Sequence, residues 1–320
     1  MRVHVFGAGA SAGTLGLPST RGFGATLRVA HPDWELHYPH LAEVVRGLGN
    51  GCAGAWDLGA AWTRLDYLAK LGWALGTPAD LGPADLELRR ALLDVYGQGR
   101  RALHAALADA PSQTAAKLLE QARPGDAIIS FNYDVLVEHL AAKAGLKLVQ
   151  APCDACRPAK HSCVQLIKPH GSLSWALHRD GRHVRLDWRA KDGGPLTEPL
   201  LQPQVSHAVL PLVVGVVPIK SELLREVQLF HDAPEVHQTI ISQWRAAVEA
   251  VRRADEVVVV GYSFPLEDQY GGFLFHEAAR SRSSQAPLRV EFFELESNAF
   301  EIARRLVDVF GVWPNWRRAV

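Results

Sequence analysis

A chain of 320 residues and 35.0 kDa that is 48% hydrophobic can fill one large core or two modest ones, which excludes intrinsic disorder as its main theme. Its 34 lysines and arginines balance 34 aspartates and glutamates, so no overall field recruits nucleic acid or anionic lipid. Met1-Arg2-Val3-His4-Val5-Phe6 runs straight into glycines with no apolar signal region, and no apolar run is long enough to span a bilayer; a soluble cytoplasmic protein with no nucleic-acid or membrane partner is expected. Three of the four cysteines cluster at Cys153, Cys156 and Cys163, which suits a reducing compartment better than a disulfide framework.

Val3, Val5 and Phe6 make a short strand, and Gly7-Ala8-Gly9-Ala10-Ser11-Ala12-Gly13 follows at once. From about Asp33 to Gln121 apolar residues recur at helical spacing, as in Trp62-Leu65-Leu68-Ala69 and Ala115-Leu118-Leu119, without β-branched runs; several helices are expected there. Short apolar runs then alternate with helical segments: Ala127-Ile128-Ile129-Ser130, then Val135 to Ala144; Val164-Gln165-Leu166-Ile167; Val257-Val258-Val259-Val260; and Leu288 to Phe293 before a last helix over about Asn298 to Phe310. Uninterrupted valine and isoleucine runs separated by helices indicate buried parallel strands. The fold class expected is α/β, a Rossmann-like doubly wound parallel sheet with an all-helical insertion. Residues 1–34 and 123–320 would form the sheet domain and 35–122 the insertion, with its own apolar cluster built partly from Trp62, Leu65, Leu68 and Leu71. The Gly-, Pro- and charge-rich stretch from Arg179 to Pro218 reads as long loops with irregular strands.

Gly7-Ala8-Gly9-Ala10-Ser11-Ala12 satisfies G-x-G-x-x-[GA] directly after a strand. In that context glycines let the backbone approach a pyrophosphate, and the next helix presents amides and its positive dipole end. The alternative is a tight turn. A dehydrogenase would place a ribose-binding acid on a second strand about 20 residues on; Leu27-Arg28-Val29-Ala30-His31-Pro32-Asp33 leads instead into helices, against hydride transfer. Four more segments carry polar residues at the carboxyl end of an expected strand: Ser130-Phe131-Asn132-Tyr133-Asp134, Lys168-Pro169-His170-Gly171-Ser172, Gly261-Tyr262-Ser263-Phe264-Pro265 and Glu294-Leu295-Glu296-Ser297-Asn298. Strand ends in an open α/β sheet share one edge, so these residues can converge on one crevice. Asn132 and Asp134, two apart, point the same way if extended, with Tyr133 turned into packing. The competing reading of each segment is a helix N-cap or turn.

The four blocks together resemble the sirtuin fold family, and more closely its sirtuin-like NAD-hydrolysing branch from bacterial antiphage systems. That family's G-A-G-x-S loop and following G-I-P-D-F-R match Gly7-Ala8-Gly9-Ala10-Ser11 and Gly16-Leu17-Pro18-Ser19-Thr20-Arg21; its Asn-x-Asp pair matches Asn132-Tyr133-Asp134, its catalytic histidine His170-Gly171, and its glycine-serine loop Gly261-Tyr262-Ser263. The resemblance spans residues 1 to 30 and about 125 to 310. It implies an enzyme, an NAD glycohydrolase that cleaves NAD to nicotinamide and ADP-ribose as an antiphage defence effector. Asn132, His170 and Asp134 would be its catalytic residues: Asn132 orients water, Asp134 engages the nicotinamide side and His170 is the general base. Gly7, Ala8, Gly9, Ser11, Pro18, Thr20, Gly261, Ser263 and Glu294 would hold the NAD, which is a substrate here.

Two departures narrow the implication. Ser19 and Thr20 stand where deacylases have Asp-Phe, and the paired C-x-x-C zinc ribbon is missing. Cys153, Cys156, His161 and Cys163 are the candidate ligands, but the loop between Cys156 and His161 is too short for an ordinary ribbon, so no metal is expected. The alternative functions are an NAD-dependent protein deacylase or ADP-ribosyltransferase, and a nucleotide-binding sensor with little turnover. An oligomer of this chain, or a defence-system partner, is expected to meet the helical insertion.

Overall fold

The computed structural model describes residues 1–48, 56–71, 81–109, 114–150, 163–179, 184–187, 209–213, 234–265, 268–282, 286–294 and 298–319. The first strand, β1 (Arg2–Phe6), lies inside a sheet whose members are β2 (Ala127–Ser130), β3 (Leu148–Gln150), β4 (Val164–Ile167), β8 (Glu256–Val260), β9 (Arg289–Glu294) and β10 (Asn315–Arg318), in the order β10-β9-β8-β1-β2-β4-β3. All six pairings are parallel. Covered on both faces, the central strands need apolar side chains at successive positions, which is why Ile128-Ile129 and Val257 to Val260 carry no alternation.

The side chains divide by parity between two layers. Val3, Val5, Ile129, Ile167, Val257, Val259, Val290 and Phe292 face α9 (Pro234–Arg253), α10 (Gln269–Arg280) and α11 (Ala299–Phe310), meeting Trp244, Val251, Phe275 and Leu306. Phe6, Ile128, Leu166, Val258 and Val260 face α7 (Thr114–Gln121) and α8 (Leu136–Lys143), meeting Leu118, Leu119, Leu136 and Leu140. Helices therefore cover both faces, and the sheet is doubly wound. The chain leaves β1 for β2 on one side and returns to β8 on the other, so the switch in strand order falls at β1.

Between β1 and β2 the chain is helical, in α1 (Ala8–Leu15), α2 (Phe23–Ala30), α3 (Trp34–His37), α4 (Pro39–Arg46), α5 (Leu58–Leu71), α6 (Gly82–Asp109) and α7. Pro39 opens α4 at a position where its missing amide costs nothing. A third cluster gathers Leu41, Val45, Leu58, Trp62, Leu65, Leu88 and Leu92, with Leu68 packed against it. Leu71 does not join; it is 51% exposed, because it ends α5 beyond the packed face. Nor does the cluster stand alone, since it takes in Leu17, Phe23 and Leu27 from before residue 35 and Tyr133 and Leu173 from the strand-end loops. Helix α7, placed in the insertion by its spacing, packs on the sheet beside α8.

A second, antiparallel sheet has the order β6 (Val184–Asp187), β5 (Gly171–Arg179), β7 (Val209–Val213). It begins at Gly171, immediately after His170, where the irregular stretch was expected to start only at Arg179. Among the described residues no helix is long and apolar enough to cross a membrane.

Candidate active site

The carboxyl ends of β1, β2, β4 and β8 deliver four loops to the edge of the sheet at the switch point. The loop after β8 packs against the one after β1. Gly7 donates its amide to the Val260 carbonyl (3.0 Å) and Gly9 to the Gly261 carbonyl (2.9 Å), while Ala10 donates to Gly7 (2.9 Å). A Cβ on Gly9 would lie 2.8 Å from Gly261 Cα, and one on Gly261 would lie 2.2 Å from the Ala10 nitrogen. Gly261 also has φ +61°, a conformation that favours glycine. Three residues on, Phe264 holds φ 47° with a buried ring against Tyr262, Phe275 and Phe310. Pro265 disfavours the right-handed helical region for the residue before it, and packing supports the strained alternative.

Gly7 and Gly9 are required for contact between two protein loops, and the Gly7, Gly9 and Ala10 amides are donated to protein carbonyls.

Asn132 and Asp134 reach the same partner. The Asn132 amide donates to Ser11 Oγ (2.8 Å) and to the Gly7 carbonyl (2.9 Å), and the Ser11 hydroxyl bonds the Asp134 carboxylate. The Leu136 amide donates to Asp134 Oδ1 (2.9 Å). Burial pushes the Asp134 carboxyl above the usual carboxylate range, opposed by Lys168, Ser11 and the Leu136 amide. Between Asn132 and Asp134, Tyr133 turns its ring into the helical cluster, and burial pushes its phenol upward.

Lys168 directly follows β4, with 0% of its surface exposed. Its Nζ donates to the Asp134 carbonyl (2.6 Å) and to Glu138 Oε1 (2.9 Å), and its backbone amide donates to Gln243 Oε1 (2.8 Å). A buried ammonium survives only with such partners, and here they tie β4 to the β2 loop, α8 and α9. Two residues later His170, 2% exposed, is walled by Phe131 at 5.1 Å, Trp244 at 5.8 Å and Tyr133 at 6.3 Å between ring centres. Phe131 stacks in turn on Tyr262, 4.2 Å and 5° apart. His170 Nε2 lies 3.1 Å from Oδ2 of Asp268, which is 1% exposed and accepts the Tyr262 hydroxyl at 2.5 Å.

The structure thus gathers Gly7, Gly9, Ser11, Asn132, Asp134, His170 and Gly261. The Pro18 carbonyl accepts the Tyr96 hydroxyl of α6 at 3.3 Å. Other contacts place Ser263 and Glu294: the Ser263 carbonyl accepts from Arg305 (3.3 Å), and the Glu294 carbonyl accepts from Trp316 Nε1 and from Ala319, each at 3.2 Å. Thr20 opens a 3₁₀ turn over Thr20–Gly22, and Ala8 begins α1. Sequence reasoning missed Lys168, Tyr96 and Asp268. Lys168 had a signal, a lysine closing an apolar strand. Asp268 lies just past a Pro, where a helix N-cap accounts for it equally well.

Cys153, Cys156 and His161 lie outside the described residues, and Cys163 is a free thiol. Among the described residues no group of three or more His, Cys, Asp or Glu side chains could hold a metal.

No protein-family model matches the chain, and no curated protein matches it. It is similar to solved Sir2 structures at low identity. One, described as the structural basis for the mechanism and regulation of Sir2 enzymes, is 13% identical over 96% of this chain and 91% of that one, with a TM-score of 0.37. A Sir2 histidine variant with deacetylated p53 peptide and 3′-O-acetyl ADP ribose is 14% identical over 98% and 94%, TM-score 0.38. A Sir2 complex with p53 peptide and NAD⁺ is 16% identical over 91% and 81%, TM-score 0.30.

Proposed function

We propose that this chain is an NAD glycohydrolase, cleaving NAD to nicotinamide and ADP-ribose, and that it serves as an antiphage defence effector. The observation that carries the reading is the convergence of Ser11, Asn132, Asp134 and His170 at the switch point, with the histidine enclosed by Phe131, Tyr133 and Trp244. Breaking the nicotinamide–ribose bond builds positive charge on the ribose. It calls for a carboxylate near that charge, an amide to orient the attacking water and a base to take its proton.

This donor set fits a ribosyl nucleotide. Asp134 would face the reacting sugar, Asn132 Oδ1 would receive the water, and His170 would remove the proton. The diphosphate would run over the start of α1, beside Gly9 and Gly261, where the helix dipole favours negative charge. An enclosed base favours a small nucleophile, and water is the smallest; this supports hydrolysis over transfer to an acyl-lysine or a protein side chain. Likeness between the sequence blocks and the sirtuin-like hydrolases supports the same substrate.

Purified protein incubated with NAD should release nicotinamide and ADP-ribose in equal amounts, without an acetylated peptide. Release that requires the peptide would favour the deacylase, label left on protein the transferase, and NAD binding without products the sensor.

A further inference from the structure

We propose that Asp268 is the positioning residue for His170, gripping the imidazole by Nε2 so that Nδ1 takes the proton from the attacking water. The role of His170 rests on the hydrolytic reading; the pairing rests on geometry.

Asp268 is the N-cap of α10, a position where an aspartate ordinarily accepts the helix's own free amides. Its side chain makes no such bond. The carboxylate is turned away from the helix, with Oδ2 at 3.1 Å from His170 Nε2 and at 2.5 Å from the Tyr262 hydroxyl. Room for this turn is left by Gly271: a Cβ there would crowd the Tyr262 oxygen at 3.3 Å and Asp268 Oδ2 at 3.4 Å. Both members of the pair are at least 98% buried, and a buried carboxylate that forgoes its capping bonds is stabilised by other donors. The Tyr262 phenol and an Nε2–H supply them.

The consequence for the ring is specific. A carboxylate accepts and does not donate, so the neutral imidazole keeps its proton on Nε2, and Nδ1 becomes the acceptor. In the reaction, water oxygen bonds to the anomeric carbon, the carbon–nitrogen bond breaks with its electron pair leaving on nicotinamide, and the water proton passes to Nδ1. The imidazolium is then held by Asp268 until the proton goes to solvent. Around the pair stand Tyr262, Tyr133, Phe131 and Trp244, while Lys168, two residues before His170, is turned to Glu138 and the Asp134 carbonyl.

The test is nitrogen NMR on the full chain with ¹⁵N-labelled histidine, His170 being assigned by His170→Gln. The expected wild-type result is a neutral ring protonated at Nε2. Asp268→Asn, whose amide can donate, should shift or mix that tautomer, and Asp268→Glu should restore it. In single-turnover reactions Asp268→Asn should lower the rate about 10²- to 10⁴-fold with the NAD dissociation constant within about threefold of wild type. Tyr262→Phe should lower it about tenfold. Identical His170 signals in wild type and folded Asp268→Asn would overturn the proposal. So would a wild-type ring protonated at Nδ1, which needs no variant to fold. Absence of NAD turnover in wild type would instead count against the hydrolytic reading, and the tautomer measurement would still decide the pairing.

Discussion

His4 shows how far one side chain can be from its ordinary chemistry. It sits in β1 between Ile128 and Val258 with none of its surface exposed, and burial lowers its pKa from 6.5 to about 4. A lowered histidine pKa means the unfolded chain binds the proton first. The associated stability is complete above pH 6.5 and is lost as pH falls towards 4, about 3 kcal/mol across that window. Denaturant midpoints at pH 7 and pH 4.5 should therefore separate strongly for wild type and much less for His4→Leu. At the site, Asn132 has a role that spacing could not reveal. A residue that only orients water would, as Asn132→Ala, lose turnover with NAD affinity intact. Because the Asn132 amide braces both Ser11 and Gly7, truncation removes two hydrogen bonds, about 0.5–1.5 kcal/mol each, and loosens the loop that would hold the diphosphate. Titration and single-turnover measurements should show both affinity and rate falling in Asn132→Ala, against rate alone in His170→Ala. Equal affinities in the two variants would return Asn132 to a purely kinetic role.

At the scale of elements, the ties between loops matter more than any motif. Gly9→Val would block a ligand and spare the fold only if the loop faced open solvent. With Gly261 backbone 2.8 Å from the added Cβ, it should instead push α1 off β8 and lower thermal stability, so a change in NAD affinity there would not isolate a binding role. Lys168 is the corresponding tie on the other side. Lys168→Met would strand Glu138 and the Asp134 carbonyl, and loss of one partner of a buried pair costs about 3–5 kcal/mol; the melting temperature should drop accordingly, and Lys168→Met/Glu138→Leu should recover part of it. Of the legible strands, β2 and β8 are buried on both faces and carry isoleucine and valine runs, while β1, β4 and β9 show short apolar runs broken by one or two polar residues. Those missed give a weaker signal. β10 reads Asn-Trp-Arg-Arg and is exposed throughout, β3 has three half-buried residues at the opposite edge, and β7 contains Pro211. Register on an edge is set by a neighbour, and a neighbour is invisible to local pattern.

For the whole molecule the open question is whether the helical layer and the sheet are separable. Residues 35–122 read as an insertion because their period is helical, yet period says nothing about what a helix packs on. The cluster around Leu88 and Leu92 of α6 incorporates Leu17, Phe23 and Leu27 from before it and Tyr133 and Leu173 from the loops that carry Asn132 and His170. Tyr96 adds a hydrogen bond to Pro18. A core shared in this way couples the two layers, so a cavity made in one should be felt in the other. Leu88 is fully buried on α6, and Leu88→Ala should cost about 3 kcal/mol through lost transfer energy and the cavity left behind. Amide hydrogen exchange resolves where that cost appears. If the layers unfold as one cooperative unit, protection in β1 and β2 should fall by the same free energy as in α6, although the mutated side chain touches neither strand's core. Loss confined to α6 and its helical neighbours, with β1 and β2 unchanged, would show that the insertion opens independently and that the site's Tyr133 wall opens with it.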